Sequence, residues 1–294
     1  MVTVLKALSL PVLASIYFFG LRSLFILILV NIIAFLTEYI FNRFYNKPVS
    51  SSVFVTGVLF TLTLPPTLPY WMAAVGIIFG VLFGKMVFGG FGKNIFNPAL
   101  VGRVFLYINF GNFMTGSKIW AKPFTNMLGG FVAYLPDTIT AATPLADKNT
   151  NSYLELFVGN HAGAIGATSI LLILLGGIYI VYKKVADYRI VFSLFVAVAI
   201  TQTILVILKV VTFNPLYSFL SGGLFFGAFF MATDPITASS TKTGKWIYGA
   251  FIGLLTVLIR VFSSWPEGIM FAILLANMFA PIMDYYIKRQ KREA

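Results

Sequence analysis

The stretches LFILILVNIIAF (24–35) and TSILLILLGGIYIVY (168–182) decide the fold class, because they are apolar on every face. The strands of a membrane β-barrel alternate polar and apolar residues, so these stretches favour helices. A helix needs an apolar run of about 20 residues to cross the hydrocarbon core, and such runs recur along the chain. The chain is 59% hydrophobic and 10% charged, with a mean hydropathy of +0.91. We therefore expect an all-α polytopic membrane protein embedded in the lipid bilayer.

The apolar segments predict about ten transmembrane helices. Their expected bounds are 5–20, 22–42, 49–66, 69–88, 94–109, 164–182, 190–208, 216–233, 246–264 and 268–287. Lys and Arg accumulate on the cytoplasmic side of membrane proteins. With the N-terminus inside, most basic residues lie inside, and those outside are Arg22, Lys118, Lys122, Lys148 and Lys209. This bias predicts cytoplasmic N and C termini, a bacterial inner-membrane location and an outer loop at about 110–160.

The two halves of the chain resemble each other. GVLFTLTLPPTLP (57–69) parallels GAFFMATDPITAS (227–239), and in each half the helix after next carries an Asn followed by a Pro. We expect one membrane domain over 1–294, with repeat one at about 1–110 and repeat two at about 164–288. Five helices in each half would orient the repeats oppositely across the membrane, and the prolines would break helices at a central binding region. The alternative is a similarity common to all membrane helices.

Composition excludes several functions. The net charge of +12 does not indicate nucleic-acid binding, because Lys and Arg are scattered between apolar segments. The absence of cysteine excludes disulfides, thiolate zinc sites and protein-held iron–sulfur clusters in this chain. The single histidine, His161, has no second metal-binding partner in the pattern. We expect no metal site and no catalytic residue, and a surface position without a role for His161.

The predicted outer loop contains PDTITAATPLAD (136–147). The run from Asp137 to Thr143 resembles the flavin-transferase recognition motif D-x-x-[ST]-G-A-T, whose last threonine receives FMN through a phosphoester bond. Asp137, Thr140 and Ala142 match the motif, whereas Ala141 replaces its glycine. The alternative is a Thr/Ala-rich loop without a role. Thr168 also follows Gly-Ala, but it lacks an acidic residue five to six positions upstream and begins an apolar helix, so Thr143 is the better candidate.

Three further segments carry a resemblance to a known family. They are GGFGKNIFNPALVGR (89–103), GAIGATSILLILLGG (163–177) and FFMATDPITASSTKTGK (229–245). Their order and spacing are similar to those of the D subunit of the Rnf complex and the NqrB subunit of sodium-pumping NADH:quinone oxidoreductase. The resemblance favours the Rnf branch, because NqrB-like chains carry a long N-terminal extension, whereas here the first helix begins within about five residues of Met1.

The resemblance implies an electron-transfer subunit with covalent FMN, in a complex that couples ferredoxin:NAD oxidoreduction to translocation of Na⁺ or H⁺. It implies partner subunits of the Rnf A, B, C, E and G types, and a flavin transferase for maturation. The chain has no nucleotide-binding fingerprint and no cluster ligands, so the NAD and ferredoxin sites would lie on partners. A urea-transporter-like solute channel and a structural scaffold are the alternatives from other classes, and neither would need the DTITAATPLA loop.

Several polar residues are candidates for further binding. The resemblance implies a second, non-covalent flavin such as riboflavin, for which Asn94 and Asn97 are candidates, unless they cap a helix or bond to backbone that Pro98 frees. Arg103 is a candidate for flavin phosphate, or it snorkels or pairs with a carboxylate.

Two acidic residues lie close to apolar surroundings. Glu38 and Asp234 are candidates for a cation path, because a carboxylate in a membrane helix is costly. The alternatives are an ion pair with a basic neighbour, such as Arg43 beside Glu38, and a helix break in which Asp234 accepts from local backbone donors.

Overall fold

The chain folds into helices. The computed structural model describes residues 1–115, 119–124, 129–136, 143–145, 152–211, 214–263, 265 and 267–293, and this part of the chain contains no β-strand. Five of its helices are long and apolar enough to cross a membrane, and three shorter apolar helices accompany them. These features confirm the prediction of an all-α polytopic membrane protein.

The first half contains five apolar helices in chain order. They are α1 (Val2–Phe19), α2 (Leu21–Phe44), α3 (Ser52–Leu62), α4 (Tyr70–Val81), which continues as a π-helix (Leu82–Met86), and α5 (Pro98–Asn109). Three short elements follow: α6 (Gly111–Thr115), a 3₁₀-helix (Gly129–Val132) and α7 (Tyr153–Val158).

The second half contains both long and short helices. It contains α8 (Ile170–Tyr182), α9 (Tyr188–Ile207), α10 (Pro215–Leu220), α11 (Leu224–Phe226), which continues as a π-helix (Gly227–Met231), α12 (Lys242–Phe262) and α13 (Ile269–Glu293). Each predicted apolar segment therefore contains helix. The opposite orientation of the two halves stays a prediction.

Helix α3 ends early, and the second half of the chain satisfies the backbone groups left at the break. The carbonyl oxygen of Leu62 accepts a hydrogen bond from the backbone N–H of Gly166 (2.8 Å), and that of Leu64 accepts one from Ile165 (2.9 Å). Unpaired carbonyls are costly in a medium without water. The segment before α8 thus closes a break that the Pro65-Pro66 pair creates.

The carbonyls on the far side of this break bind an arginine. Arg22 at the start of α2 donates to the carbonyl oxygens of Pro66 (3.1 Å), Thr67 (3.3 Å) and Leu68 (3.0 Å). In the second half, Arg260 near the end of α12 donates to three carbonyl oxygens, those of Ser218, Ser221 and Glu267. Each half therefore uses one arginine to satisfy carbonyls that no helix pairs.

Glycines bring helix backbones close together. A Cβ atom on Gly80 of α4 would lie 2.6 Å from the carbonyl oxygen of Pro98, and one on Gly102 would lie 2.5 Å from the carbonyl oxygen of Gly76. Helices α9 and α12 show the same device, since a Cβ atom on Gly253 would lie 2.5 Å from the carbonyl oxygen of Leu194. Small residues allow such approach where the hydrophobic effect does not drive helices together.

Replacing Gly80 with Val should lower the thermal stability of the detergent-solubilised protein. Overpacking against a backbone carbonyl costs about 1–3 kcal/mol, because the carbonyl of Pro98 cannot move aside as a side chain can. Thermal unfolding followed by size-exclusion chromatography measures the change. Gly111→Val is the control, because a Cβ atom at Gly111 would have no neighbour within 4 Å. Equal stability of the two variants would contradict the packing account.

Candidate functional site

Thr143 lies at a cavity of about 140 Å3, which we call the Thr143 cavity. The wall includes Thr143 and its two successors, Tyr107 of α5, the 161–164 segment before α8, and the Gly222-Gly223 pair before α11. Thr143 is half-buried. A single water molecule needs about 10–15 Å3 of such space, so the cavity is much larger than a water site. The cavity therefore places the predicted attachment residue beside room for a ligand.

The rest of the predicted attachment motif cannot be placed in the same way. Asp137, Thr140 and Ala142 lie outside the described residues. Thr168, the competing threonine, is 1% exposed, and its hydroxyl has no hydrogen-bond partner among the described residues. A modifying enzyme needs access to the hydroxyl that it esterifies, so the difference in burial favours Thr143 over Thr168.

His161 lies in the wall of the Thr143 cavity and is only 4% exposed. The expectation of a surface histidine is therefore wrong. Its Nδ1 lies 3.1 Å from the carbonyl oxygen of Ala162, and its Nε2 lies 3.2 Å from that of Thr168. The surrounding run GNHAGAIG (159–166) carries the signal that sequence reasoning missed, because alternating glycine and alanine indicate close packing around the ring.

Arg103 pairs with Glu267, which precedes α13 and lines the Thr143 cavity. The structure thus brings Arg103 to a carboxylate, one of the alternatives that the sequence left open. One turn further along α5, the hydroxyl of Tyr107 is buried at the same cavity and has no partner among the described residues. The Arg103 Nε is also buried and without a partner in that part of the chain. The cavity therefore holds polar groups available to a ligand.

A second cavity, of about 140 Å3, lies beside the start of α5, and we call it the Asn94 cavity. Its lining includes Asn94, Asn97, Lys85 and Asp234. The Asn97 side chain accepts from the backbone N–H of Ala99 (3.1 Å), which makes it the N-cap of α5. This agrees with the helix-cap alternative for that residue.

Asn94 differs from Asn97 in one respect that matters for binding. Its Nδ2 donates to the carbonyl oxygen of Phe96 (3.2 Å), whereas its Oδ1 is buried without a partner among the described residues. Leaving a buried acceptor unpaired costs about 1–3 kcal/mol, so such an atom favours a ligand that donates to it.

A buried polar network lies next to Asn97, which lines the Asn94 cavity. Tyr248 of α12 and Asn277 of α13, both 0% exposed, join through a 2.6 Å hydrogen bond between Oη and the amide. With the amide turned to satisfy its surroundings, the oxygen of Asn277 accepts from the backbone N–H of Asn97 (3.2 Å). Sequence reasoning named neither Tyr248 nor Asn277, because their partners lie far away along the chain.

Glu38 forms an ion pair with Lys85, not with Arg43. Lys85 Nζ lies 2.6 Å from Glu38 Oε2, and both side chains are 2% exposed. The same Nζ donates to the hydroxyls of Ser50 (2.7 Å) and Ser52 (2.8 Å). The charge of Glu38 is thus compensated inside the protein. Lys85 was missed because its place in an apolar segment gave no sign of a partner.

Asp234 lines the Asn94 cavity without an ion pair in the described part of the chain. Its carboxylate accepts from the Thr237 hydroxyl (3.0 Å) and from the backbone N–H of Ile236 (3.4 Å). These bonds match the alternative of a helix break at Asp234-Pro235. They leave the carboxyl group of Asp234 next to the cavity without a basic partner among the ion pairs described.

Asp284 of α13 organises the turn before α12 and was not foreseen. Its carboxylate accepts from the backbone N–H groups of Ser240 (2.7 Å) and Thr241 (3.1 Å), and from the hydroxyls of Ser239, Ser240 and Thr241. Multiple donors to one carboxylate make it a structural anchor. The side chain therefore joins α13 to the segment that carries Asp234. Among the described residues, no group of three or more His, Cys, Asp or Glu is arranged to hold a metal ion.

The fold defines a multi-pass helical membrane protein, with two cavities that polar side chains help to line. A family model described as the NQR2, RnfD, RnfE family matches residues 1–293. The chain therefore belongs to this family, as the resemblance of its motifs predicted.

Named relatives agree with the family match. The B subunit of the Na⁺-translocating NADH-quinone reductase of Pseudoalteromonas atlantica is 42% identical over 258 residues, which cover 85% of this chain and 62% of the relative. The corresponding protein of Ectopseudomonas mendocina is 40% identical, over 85% of this chain and 63% of the relative. That of Klebsiella pneumoniae is also 40% identical, over 97% of this chain and 71% of the relative. The chain thus spans less than two thirds of the first two relatives. The relatives are named as NADH-quinone reductase subunits, which favours that branch over the Rnf branch.

Removing one partner of the Glu38–Lys85 pair should destabilise the protein strongly. Lys85→Met leaves a buried carboxylate without compensation, and such a change typically costs about 3–5 kcal/mol. The double variant Glu38→Gln with Lys85→Met removes both charges and should recover much of the lost stability. Thermal unfolding in detergent measures both. Equal losses in the single and double variants would contradict a buried, mutually compensating pair.

Proposed function

We propose that this chain is an electron-transfer subunit that carries FMN on Thr143 through a phosphoester bond. Three observations support the proposal: the family membership, the resemblance of 137–143 to a flavin-transferase motif, and the cavity beside Thr143. The last carries the most weight, because it joins the attachment residue to an internal space that polar side chains line.

The residues of the Thr143 cavity fit a bound flavin. Tyr107 offers a buried hydroxyl without a partner among the described residues. Gly223 leaves room, because a Cβ atom there would meet only the Ala167 side chain, at 3.7 Å. When bound, FMN would supply the capacity to accept and donate electrons. The chain would hold the ring, orient it between apolar walls and limit the access of water.

The Asn94 cavity fits a second, non-covalent flavin such as riboflavin. A flavin ring displays alternating donors and acceptors along one edge, and Asn94 Oδ1 is a buried acceptor without a partner in the described chain. Asn97 already caps α5, so its contribution would be to position the backbone beside the ring. In this proposal Arg103 does not bind flavin phosphate directly, but holds the Glu267 carboxylate at the Thr143 cavity.

The proposed complex is an ion-translocating NADH-quinone reductase, in which other subunits bind NADH and the flavin transferase acts during maturation. The names of the relatives favour it. An Rnf-type complex that oxidises ferredoxin is the second candidate, because the family includes Rnf D subunits. We place the chain in the bacterial inner membrane with the Thr143 loop on the outer face, as the basic-residue bias predicts.

Asp234 is the better candidate for a cation path. Glu38 is neutralised by Lys85 at 2.6 Å, whereas Asp234 borders the Asn94 cavity without an ion pair among those described. A solute channel remains the alternative from another class, because broken helices in paired halves are also a transporter device. Covalent flavin distinguishes the two, since a channel would not need it.

Coexpression with a flavin transferase should yield a fluorescent band on a denaturing gel, and Thr143→Ala should abolish it. The phosphoester needs a hydroxyl at position 143, so serine is the substitution expected to preserve the band. Thr168→Ala is the matched control, because it also removes a threonine that follows Ala. Its band should persist. Fluorescence that survives Thr143→Ala, or is absent from the wild type, would refute the proposed attachment.

Asn94→Leu should lower the amount of non-covalent flavin by at least about tenfold, because the variant loses a buried acceptor of a hydrogen bond worth about 1.4 kcal/mol or more. Acid release and chromatography of the flavin measure it. Asn31→Leu is the control, since Asn31 also has a buried Oδ1 without a partner in the described chain but lines neither cavity. Equal flavin content in the two variants would contradict this site.

A further inference from the structure

His161 is a buried titratable group that the proposed electron transfer does not use. It lies between α7 and α8, with both ring nitrogens facing carbonyl oxygens, those of Ala162 and Thr168. A neutral imidazole has one N–H and one lone pair, so it can donate to only one of two carbonyls. The other nitrogen then directs its lone pair at an oxygen. The protonated ring would donate to both.

Two opposing effects set the protonation state of this ring. Burial lowers the pKa of His161, because a charged imidazolium loses solvation, while the two backbone carbonyls and Glu155 of α7 raise the pKa. The neutral ring thus directs one nitrogen lone pair at a carbonyl oxygen. The charged ring loses solvation, which the Glu155 carboxylate offsets only in part. A negative charge arriving nearby would tip this balance towards the imidazolium.

The Thr143 cavity is where such a charge would arrive. His161 and Thr143 belong to one wall, which also includes Tyr107 of α5 and Glu267 before α13. Glu267 is already paired with Arg103, and Arg260 donates to the Glu267 backbone carbonyl. Tyr107 is neutral and its hydroxyl has no partner in the described chain. His161 is therefore the titratable group of this wall that can take up a proton, because one ring nitrogen is unprotonated and already faces a carbonyl oxygen.

We propose that His161 takes up one proton when one electron enters the Thr143 cavity, so that electron transfer through this subunit is coupled to protonation of the imidazole. The proposal rests on the proposed attachment of flavin to Thr143. The electron comes from a one-electron donor of a partner subunit, of the flavin or iron–sulfur class. The proton comes from water and binds the ring nitrogen that lacks one. One negative and one positive charge are added, so the net charge of the cavity does not change.

The single histidine of the chain permits a direct test. The full chain is coexpressed with a flavin transferase, labelled with [¹³C-ring]histidine and purified through a tag without histidine. Reduced-minus-oxidised infrared difference spectra then report one site. We expect bands of neutral imidazole to be lost and bands of imidazolium to appear on reduction, shifted by the isotope. His161→Gln should abolish these bands and keep the fluorescent covalent flavin.

A redox titration gives a second, independent readout. The midpoint potential of the covalent flavin should fall more steeply with pH in the wild type than in His161→Gln, by up to about 59 mV per pH unit for one proton per electron. Glu155→Gln is the control that keeps the histidine. Removing a carboxylate that raises the His161 pKa should move the pH-dependent window to lower pH and retain the slope.

Two negative results have different meanings. Covalent flavin that is reduced without any change in the histidine bands, and with equal slopes in wild type and His161→Gln, would overturn the protonation proposal alone. Absence of covalent flavin from the wild type would overturn the attachment to Thr143, and the coupling that depends on it.

Discussion

The break after α3 is the constraint on which the rest of the structure depends. Pro65 and Pro66 end the helix inside an apolar protein, so the carbonyls of Leu62 and Leu64 need donors that water cannot supply. The backbone N–H groups of Ile165 and Gly166 supply them, at 2.9 and 2.8 Å. Glycine is needed at 166, because a Cβ atom there would lie 2.5 Å from the Leu62 side chain.

This contact organises both cavities. The part of α3 before the break lines the Asn94 cavity through Val55, Thr56 and Leu59. The 161–167 segment, which closes the break, lines the Thr143 cavity with the ring of His161 and the backbone around it. A single pair of backbone hydrogen bonds thus holds the two candidate sites in a fixed relation. It also explains why a histidine is buried there, since the segment must pack against α3 to make those bonds.

The sequence predicts what depends on local pattern. Uniform apolar runs place the membrane helices, and Asn97 before Pro98 gives the helix cap that the structure contains. Contacts between residues far apart in the sequence cannot be predicted in this way, because a single sequence does not indicate which residues pair. Lys85 donates to Glu38, which lies 47 residues away in the sequence, and Ser239 donates to Asp284, which lies 45 residues away. His161 was assigned to the surface because a lone histidine in an interfacial loop is more often a surface residue than a ligand, although the glycines around it indicate close packing.

The central claim is that Thr143, and not another hydroxyl, carries the flavin. Mass spectrometry of a tryptic digest tests it most directly, because trypsin should release 119–148, with Thr143, separately from 149–183, with Thr168. We expect the 119–148 peptide to carry the added mass of FMN less one water, with fragmentation placing it on Thr143. An unmodified 119–148 peptide, or FMN found on the 149–183 peptide, would contradict the account.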